Sequence, residues 1–283
     1  MDSFAIHRPP TSSPLLYDSP HSGRFYPADF ASHATRLELR RGEDAYVDEL
    51  LAGAPALGVT LLVANYPRCY IDLNRAEDDV DAALLAEPWP GPLHPTEKTA
   101  RGLGLIRRYV VPGVEAQAGP LSVREVQSRI ERVYRPYHAA LSSLVEETHS
   151  AHGAVWHLDW HSMKSVGNAM TPDGAGARRP DFVVSNRDGA SASPAVTDLV
   201  VGGLRELHYT VAVNDPYRGG EIVRRIGVPA RNIHSIQVEI NRRLYLDESA
   251  VVTTPAAPDL MSNLEQLTRM LVGELAHVGR VRF

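Results

Sequence analysis

Short apolar segments alternate with amphipathic segments along most of the chain. Apolar runs predict strands near residues 14–19, 59–65, 154–160, 209–213 and 233–240. Amphipathic periodicity predicts helices near residues 43–53, 122–149, 194–207 and 259–277. Proline-rich residues 86–96 and residues 165–180 predict loops over one face. This alternation favours an α/β fold with a helix-covered, parallel or mixed sheet, and no boundary divides residues 1–283 into more than one domain.

Two of the predicted helices carry local signals. The sequence Ser122-Val123-Arg124-Glu125 is a capping box, in which the serine and glutamate satisfy free backbone N–H groups at a helix start. Pro136 lies inside the same helix and should kink it, because proline has no N–H to donate. Asp44 lies in the first turn of the helix predicted over residues 43–53.

The strand predicted over residues 154–160 has an unusual polar face. Alternate side chains point to opposite faces of a strand. His157, Asp159 and His161 therefore share a face, opposite Trp156 and Trp160. Buried ionisable groups must be paired, hydrogen-bonded or bound to metal. The pattern predicts either a metal site at the end of this strand or an edge strand with one solvent-facing side.

Three other segments resemble strands that end in polar residues. They are residues 15–23, which contain His21, residues 70–75 with Arg75 and the preceding Arg68, and residues 233–241, where Glu239 lies on the polar face. Ligands of open α/β sheets bind outside the carboxyl ends of the strands. These segments together predict an active site at one edge of a sheet.

The composition excludes several classes of protein and of metal site. The net charge of −5 over 283 residues gives no basic surface for nucleic acid, and no apolar run approaches the length of a membrane span. The N-terminal residues 1–14 lack the apolar core of a secretory signal. Cys69 is the only cysteine, which excludes an internal disulfide and a thiolate metal cluster and favours the cytoplasm. Any metal must be held by histidine and carboxylate.

His21 and His161 are the candidate metal ligands. Two histidines, one carboxylate and an open position are typical of catalytic zinc. The acidic ligand has four candidates, since Asp44, Asp48, Asp18 and Asp159 all lie near predicted strand ends or a helix start. Asp159 could instead orient a ligand histidine. The alternative is that both histidines are loop residues bonded to backbone.

Glu239 is the candidate general base. A carboxylate beside a metal can take a proton from water and pass it to a leaving amine. The competing interpretation is an ion pair with Arg242 or Arg243, which follow closely in the sequence.

Arg68 and Arg75 are candidate ligands for anionic groups. One of them could hold a substrate carboxylate and the other could stabilise an oxyanion, since arginine suits both tasks. Both could instead form structural ion pairs with the acidic residues that follow them, Asp72, Glu77 and Asp78. The double glycine in Arg218-Gly219-Gly220 suits a tight turn or a close approach to substrate.

The sequence resembles the N-formylglutamate amidohydrolase family from about residue 13 to about residue 248. The resemblance rests on Ser19-Pro20-His21-Ser22-Gly23-Arg24, Glu43-Asp44, Arg68, Asp72-Leu73-Asn74-Arg75, Asp159-Trp160-His161-Ser162-Met163, Arg218-Gly219-Gly220 and Gln237-Val238-Glu239. The family in turn resembles zinc carboxypeptidases. The implied fold is a three-layer αβα sandwich with a central mixed sheet, of the phosphorylase/hydrolase-like type.

The resemblance also implies roles for individual residues. It implies one zinc ion bound by His21, His161 and Asp44, with Asp44 taken from the family's recurrent aspartate. Glu239 would be the base, and Arg68 would polarise the scissile carbonyl. The carboxylate of a small-molecule substrate would be bound by Asn74 and Arg75, with Arg218, Gly219 and Gly220 nearby.

The implied activity is hydrolysis of N-formyl-L-glutamate to formate and L-glutamate, a step of histidine degradation. A related zinc enzyme acting on another N-acyl amino acid or a small peptide is the first alternative. A binding protein that kept the fold and lost turnover is the second, although the joint presence of His21, His161 and Glu239 speaks against it.

Overall fold

The computed structural model describes residues 1–280, with the backbone alone described for residues 276–280. Its strands are Phe4–His7 (β1), Leu15–Ser19 (β2), Thr60–Ala64 (β3), Tyr109–Val111 (β4), Val114–Glu115 (β5), Val155–Met163 (β6), Phe182–Ser185 (β7), Val211–Val213 (β8), Ile233–Asn241 (β9), Leu246–Asp247 (β10) and Val252–Thr253 (β11). Its α-helices are Arg36–Arg40 (α1), Val47–Leu50 (α2), Glu97–Ala100 (α3), Val123–Arg129 (α4), Arg135–His152 (α5), Pro194–Glu206 (α6), Glu221–Ile226 (α7) and Ala257–Arg280 (α8).

Seven strands form the central sheet, in the order β1-β3-β2-β6-β9-β7-β8. The inner strands β3, β2, β6 and β9 are parallel, whereas β1 is antiparallel to β3 and β7 is antiparallel to β9. The sheet is therefore mixed, as predicted. The parallel strands β2, β6 and β9 carry their carboxyl ends to the same edge, which brings the residues at those ends together.

Helices cover both faces of this sheet. On one face, the β6 tryptophans Trp156 and Trp160 share a core with residues of α6 and α8. On the other face, Leu16 and Val155 share a core with residues of α5 and α7. This arrangement confirms the predicted αβα sandwich. Within residues 1–280, none of the helices is both long and apolar enough to cross a membrane.

Two predicted helices differ in detail from the structure. Residues 43–53 form only the single turn α2, because Tyr46 adopts a left-handed conformation with φ of 65° immediately before it. The helix predicted over residues 122–149 runs from Val123 to His152, but a π-helical turn at Ile130–Tyr134 separates α4 from α5. This turn ends two residues before Pro136, whose missing N–H disturbs the regular hydrogen-bond pattern.

Several short strands were not predicted from the sequence. β1 lies in the polar N-terminal segment, and β7 has only four residues, too few for a clear alternation. The prediction of a strand at residues 70–75 is wrong, since this segment is a loop after β3. Its backbone is fixed instead by isolated hydrogen bonds, such as that from Asp72 N to Leu105 O at 2.8 Å.

Candidate active site

The polar face of β6 is buried at the centre of the sheet. β6 lies between β2 and β9, so the interpretation as an edge strand is wrong. His157 contacts Asp18 through Nε2 at 3.0 Å and Ser235 through Nδ1 at 2.8 Å, and Asp18 accepts a 2.8 Å hydrogen bond from Tyr137 of α5. This network satisfies the first polar residue of the face. His161 lies farther along the same face, near the end of the strand.

Three ligand atoms meet where β2 and β6 end. His21 Nδ1 lies 3.0 Å from His161 Nδ1, and Asp44 Oδ2 lies 3.3 Å from the first and 2.9 Å from the second. All three residues are buried. Asp44 reaches this point because its backbone N–H bonds to His21 O at 3.0 Å, which ties the loop before α2 to the end of β2.

The donor set fits a zinc ion. Two ring nitrogens 3.0 Å apart repel each other unless a proton or a metal cation lies between them. Ligand atoms about 2.0–2.1 Å from a tetrahedral zinc lie roughly 3.3 Å apart, close to the separations in this cluster. Two histidines and one carboxylate also leave a position open, as catalytic zinc sites do.

Each histidine also faces a second carboxylate. His21 Nε2 lies 2.8 Å from Asp72 Oδ1, and His161 Nε2 lies 2.9 Å from Asp159 Oδ1, although this second contact is poorly aligned for a hydrogen bond. A carboxylate beside Nε2 favours the tautomer that leaves Nδ1 free as a ligand. Asp159 therefore lies behind His161 and not in the ligand cluster.

The second oxygen of Asp44 faces two arginines. Arg68 Nη1 lies 3.3 Å and Arg242 Nη2 lies 3.2 Å from Asp44 Oδ1. Burial opposes ionisation of Asp44, but the charge of Arg68 and the hydrogen bonds from the histidines outweigh it and hold the pKa of this carboxyl well below its usual value. Asp48 points elsewhere, since its Oδ2 pairs with Arg24 at 3.0 Å.

Glu239 is a buried carboxylate on β9 that lines a cavity beside His161. The two residues are register partners in the parallel β6–β9 pair. Its Oε1 accepts a 2.9 Å hydrogen bond from Gln237 Nε2. Arg242 and Arg243 pair with Asp44 and Asp181 instead, and Glu239 forms no ion pair with the side chains described, those of residues 1–275. Burial raises the pKa of Glu239, which suits an acceptor of protons.

Arg68 lines the same cavity but is also engaged in ion pairs. Its Nε and Nη2 lie 3.3 and 3.1 Å from Asp72 Oδ2, and its Nη1 contacts Asp44. The ion pair between Arg68 and Asp72, which was the alternative interpretation of Arg68, is therefore present. It does not remove Arg68 from the site, because both partners adjoin the histidine cluster.

Arg75 has no carboxylate partner in the part of the chain that is described. Its Nε and Nη1 donate to the carbonyls of Leu103 and Asn74, both at 2.7 Å, which leaves Nη2 without a protein acceptor. The acidic residues proposed as structural partners pair elsewhere, Glu77 with Arg135 and Asp78 with His94. Arg75 is 7 % exposed and lines the cavity.

Asn74 is held on three sides. Its Nδ2 donates to Gln237 Oε1 at 3.2 Å and lies 3.1 Å from His161 Nε2, and its Oδ1 accepts a 2.9 Å hydrogen bond from Ile222 N. Gly220 packs directly against this amide, since a Cβ at that position would lie 2.3 Å from Asn74 Oδ1. Both amide atoms are thus occupied within the protein, and Asn74 positions its neighbours.

The Arg218-Gly219-Gly220 segment contributes backbone and not charge. Arg218 is exposed, pairs with Asp188 at 3.2 Å and does not line the cavity, so its predicted contact with substrate is not supported. Gly219 has φ of +102°, a conformation that favours glycine. Gly220 N donates to Gln237 Oε1 at 2.8 Å, which connects this loop to Glu239 through one side chain.

Four residues near the site were not assigned a role from the sequence. Asp72 was considered only as an ion-pair partner, and Gln237 only as part of a motif. Arg242 donates to Arg41 O and Glu43 O in the loop before α2 and to Ser162 Oγ of β6, which ties this loop to the strand. Arg107 lies in a loop without periodicity, so no sequence signal distinguished it.

The cavity has a volume of about 270 Å³ and a strongly cationic lining. Among the described residues, nine cationic side chains and only two carboxylates, Glu97 and Glu239, contribute to its wall. The cationic residues are Arg41, Arg68, Arg75, Lys98, Arg101, Arg107, Lys164, Arg179 and Arg242. Such a cavity favours an anionic ligand of small size.

Comparison with known proteins agrees with this geometry. A model of the N-formylglutamate amidohydrolase family matches residues 13–246. The chain belongs to this family. It is 29 % and 28 % identical to the N-formylglutamate deformylases of Pseudomonas aeruginosa and Pseudomonas putida, each over 95 % of both chains.

A solved relative has the same fold over nearly its whole length. The crystal structure of N-formylglutamate amidohydrolase from Ralstonia eutropha is 42 % identical, with a TM-score of 0.91 over 98 % of this chain and 99 % of that one. Family membership identifies the protein as an amidohydrolase, whose reaction adds water across an amide bond. The cavity that contains Glu239 is the candidate place for this reaction.

Proposed function

We propose that this amidohydrolase cleaves N-formyl-L-glutamate into formate and L-glutamate. The observation that carries the proposal is that Glu239 and His161, a member of the histidine cluster, line one small cavity together with nine cationic side chains. A substrate with two carboxylates and a short acyl group matches that charge and volume. The relatives from Pseudomonas and Ralstonia are named for the same compound.

We further propose that the enzyme uses one zinc ion, held by His21, Asp44 and His161. Nitrogen and carboxylate donors without thiolates suit this metal. When bound, zinc would supply Lewis acidity, which makes water more acidic and a carbonyl more electrophilic. Asp72 would orient the His21 ring, and Arg68 and Arg242 would keep Asp44 ionised.

Glu239 carries the proton transfers in this proposal. It accepts a proton from the attacking water and returns it to the amide nitrogen as the C–N bond breaks. Gln237 holds Glu239 Oε1 in place through the 2.9 Å hydrogen bond. Arg68, beside the cluster, stabilises the negative charge that develops on the carbonyl oxygen. Arg75 binds the α-carboxylate of the substrate through its open Nη2.

The products connect the reaction to amino-acid breakdown. Release of free glutamate from its formyl derivative fits the last part of histidine degradation, which is the pathway that the family resemblance implies. We propose this role, with a cytoplasmic location, on the strength of the resemblance and of a chain with a single cysteine.

The test is formate release measured on the purified protein. N-formyl-L-glutamate is supplied to the enzyme as purified, after chelation, and after chelation followed by added zinc. We expect turnover that is lost with the chelator and restored by the metal. Absence of formate under all three conditions contradicts the proposed substrate, and turnover that survives complete removal of metal contradicts the proposed zinc.

A further inference from the structure

Arg107 has an unusual position for an arginine. It follows α3 in the loop that forms one wall of the cavity, and it is only 6 % exposed. Its Nε donates to Asp72 Oδ2 at 3.1 Å. Its Nη1 and Nη2 have no hydrogen-bond partner among residues 1–275, although the residue lines the cavity. One edge of this side chain is fixed, and its two terminal nitrogens remain open.

The arginines around Asp72 carry more positive charge than this carboxylate can balance. Asp72 Oδ2 accepts hydrogen bonds from Arg107 and Arg68 together, and Arg75 lies close enough to contribute to the same electrostatic environment. Burial and then the charges of Arg68 and Arg75 lower the pKa of Arg107 to about 9, against the opposing effect of Asp72. Buried cations need counter-charges. Because Asp44 Oδ1 already faces Arg68 and Arg242, an anion from the ligand would supply the counter-charge that Arg75 and Arg107 lack.

The open nitrogens fall on two separate arginines. Arg75 offers Nη2, and Arg107 offers Nη1 and Nη2 as a pair. A pair of terminal guanidinium nitrogens matches the two oxygens of a carboxylate, a geometry that lysine does not reproduce. In the proposed function Arg75 binds the α-carboxylate of the substrate. The open guanidinium of Arg107 is therefore available for a second carboxylate.

We propose that Arg107 binds the side-chain carboxylate of the substrate and makes the enzyme selective for N-acyl dicarboxylic amino acids. This inference rests on the proposed function and deepens it. Its consequence is that the two arginines have separate tasks, in which Arg107 binds the side chain and Arg75 binds the α-carboxylate. Arg107 is thus a specificity residue, and its contact with Asp72 fixes its orientation.

A crossed comparison of variants and substrates tests this separation. The variants are Arg107→Lys, Arg75→Lys and Arg108→Lys. Arg108 is the matched control, because it is the adjacent arginine, pairs with Asp81 and does not line the cavity. The substrates are N-formyl-L-glutamate, N-formyl-L-glutamine, in which the side-chain carboxylate is an amide, and N-formyl-L-isoglutamine, in which the α-carboxylate is an amide. The readout is kcat/KM for formate release, together with bound zinc.

We expect the wild type to prefer N-formyl-L-glutamate over both amides. Arg107→Lys should reduce the preference for glutamate over glutamine by about tenfold or more, the order expected for a charged hydrogen bond, and leave the preference over isoglutamine unchanged. Arg75→Lys should reduce the preference for glutamate over isoglutamine and leave the preference over glutamine unchanged. Arg108→Lys should change neither ratio, and all variants should retain zinc.

Three results would overturn the inference. The first is a uniform fall of kcat/KM on all substrates in Arg107→Lys, which would give Arg107 only a structural role through Asp72. The second is loss of the preference over isoglutamine in that variant. The third is a wild type that hydrolyses N-formyl-L-glutamine as well as N-formyl-L-glutamate, a result that needs no variant to fold.

Failure of the proposed function is distinguishable from failure of this inference. If the wild type releases formate from none of the compounds, the proposed substrate is wrong. Calorimetric binding of glutarate and butyrate to the wild type then tests Arg107 directly. Tighter binding of the dicarboxylate, reduced at least tenfold in Arg107→Lys, supports the second carboxylate site, and equal binding of the two acids contradicts it.

Discussion

His21 Nε2 lies 2.8 Å from Asp72 Oδ1, and both side chains are completely buried. Asp72 Oδ1 also accepts a 3.0 Å hydrogen bond from Asn74 N, while its other oxygen faces Arg68 and Arg107. Burial opposes ionisation of Asp72, but Arg68 and His21 outweigh it and hold its pKa well below the usual value. This carboxylate therefore fixes the His21 ring with Nδ1 turned toward Asp44 and His161.

Asp72→Asn should weaken zinc binding by about 10- to 100-fold, since loss of an orienting carboxylate typically has this effect on a ligand histidine. The amide keeps the shape of the side chain but not its charge. Competition with a chromophoric chelator measures the zinc affinity. Asp78→Asn is the control, because Asp78 pairs with His94 on the surface. Equal zinc affinity in Asp72→Asn and the wild type would remove Asp72 from the metal site.

His161→Ala should abolish stoichiometric zinc, because it removes one of the three converging ligand atoms. The metal-to-protein ratio after gel filtration checks this. His157→Gln is a suitable comparison, since His157 lies on the same face of β6 but contacts Asp18 and Ser235. A folded His161→Ala protein that still holds zinc one-to-one would show that the ligand set is wrong.

Glu239→Gln should keep the zinc and the fold and lose about 10²–10⁴ in kcat, the usual contribution of a general base. Glutamine retains the hydrogen-bonding shape beside Gln237 but cannot accept the proton from water. Glu97→Gln is the control, because its exposed carboxylate lies at the cavity rim. Near-normal turnover of Glu239→Gln on N-formyl-L-glutamate would show that another group is the base.

The residues at strand ends could be predicted from the sequence, and the residues in loops could not. His161 and Glu239 lie near the ends of strands whose alternation is visible in the sequence, and β6 and β9 do pair in parallel with these residues in register. Asp72 contacts His21 only because the loop after β3 folds back toward the end of β2, and no periodicity encodes that path. The same holds for Arg107, which depends on the position of the cavity wall.

Asp44 lies beside the histidines as predicted, but the secondary structure predicted to place it there is wrong. The sequence placed it in the first turn of a helix over residues 43–53, but the helical turn begins at Val47. The hydrogen bond from Asp44 N to His21 O positions it instead. Helical propensity could not reveal this contact, because it joins segments that are distant in the sequence.

Gly220→Ala should lower both stability and activity. The added Cβ would lie 2.3 Å from Asn74 Oδ1, and Asn74 has little freedom to move because Gln237 and Ile222 hold its amide. Overpacking of this kind typically costs about 1–3 kcal/mol. Chemical denaturation and formate release measure the two effects.

Gly202→Ala is the matched control for this substitution. Gly202 lies in α6, and a Cβ there would have no neighbour within 4 Å. Alanine should therefore be neutral or should stabilise the helix by up to about 1 kcal/mol. If the stability and turnover of Gly220→Ala match those of Gly202→Ala, the tight packing against Asn74 has no functional consequence.

The binding of an anionic substrate should weaken as the pH rises through neutrality. The charge of Arg75 lowers the pKa of Lys98 to about 7. Lys98 lines the cavity and has no ion pair in the described part of the chain. It is protonated below pH 7, where its charge attracts the substrate, and neutral above it. Since Lys98 is also exposed at the rim, we expect a modest effect, a rise of about two- to fivefold in KM between pH 6 and pH 8, below the range in which Arg107 titrates.

Lys98→Arg separates this effect from other titrations. Arginine stays charged throughout this range, so its KM should remain flat where that of the wild type rises. Lys98→Gln should give a KM that is already high at pH 6 and changes little. Steady-state kinetics on N-formyl-L-glutamate at constant ionic strength provide the measurement, because exposed charges are screened by salt. A KM that rises equally in the wild type and in Lys98→Arg would assign the pH dependence to another group.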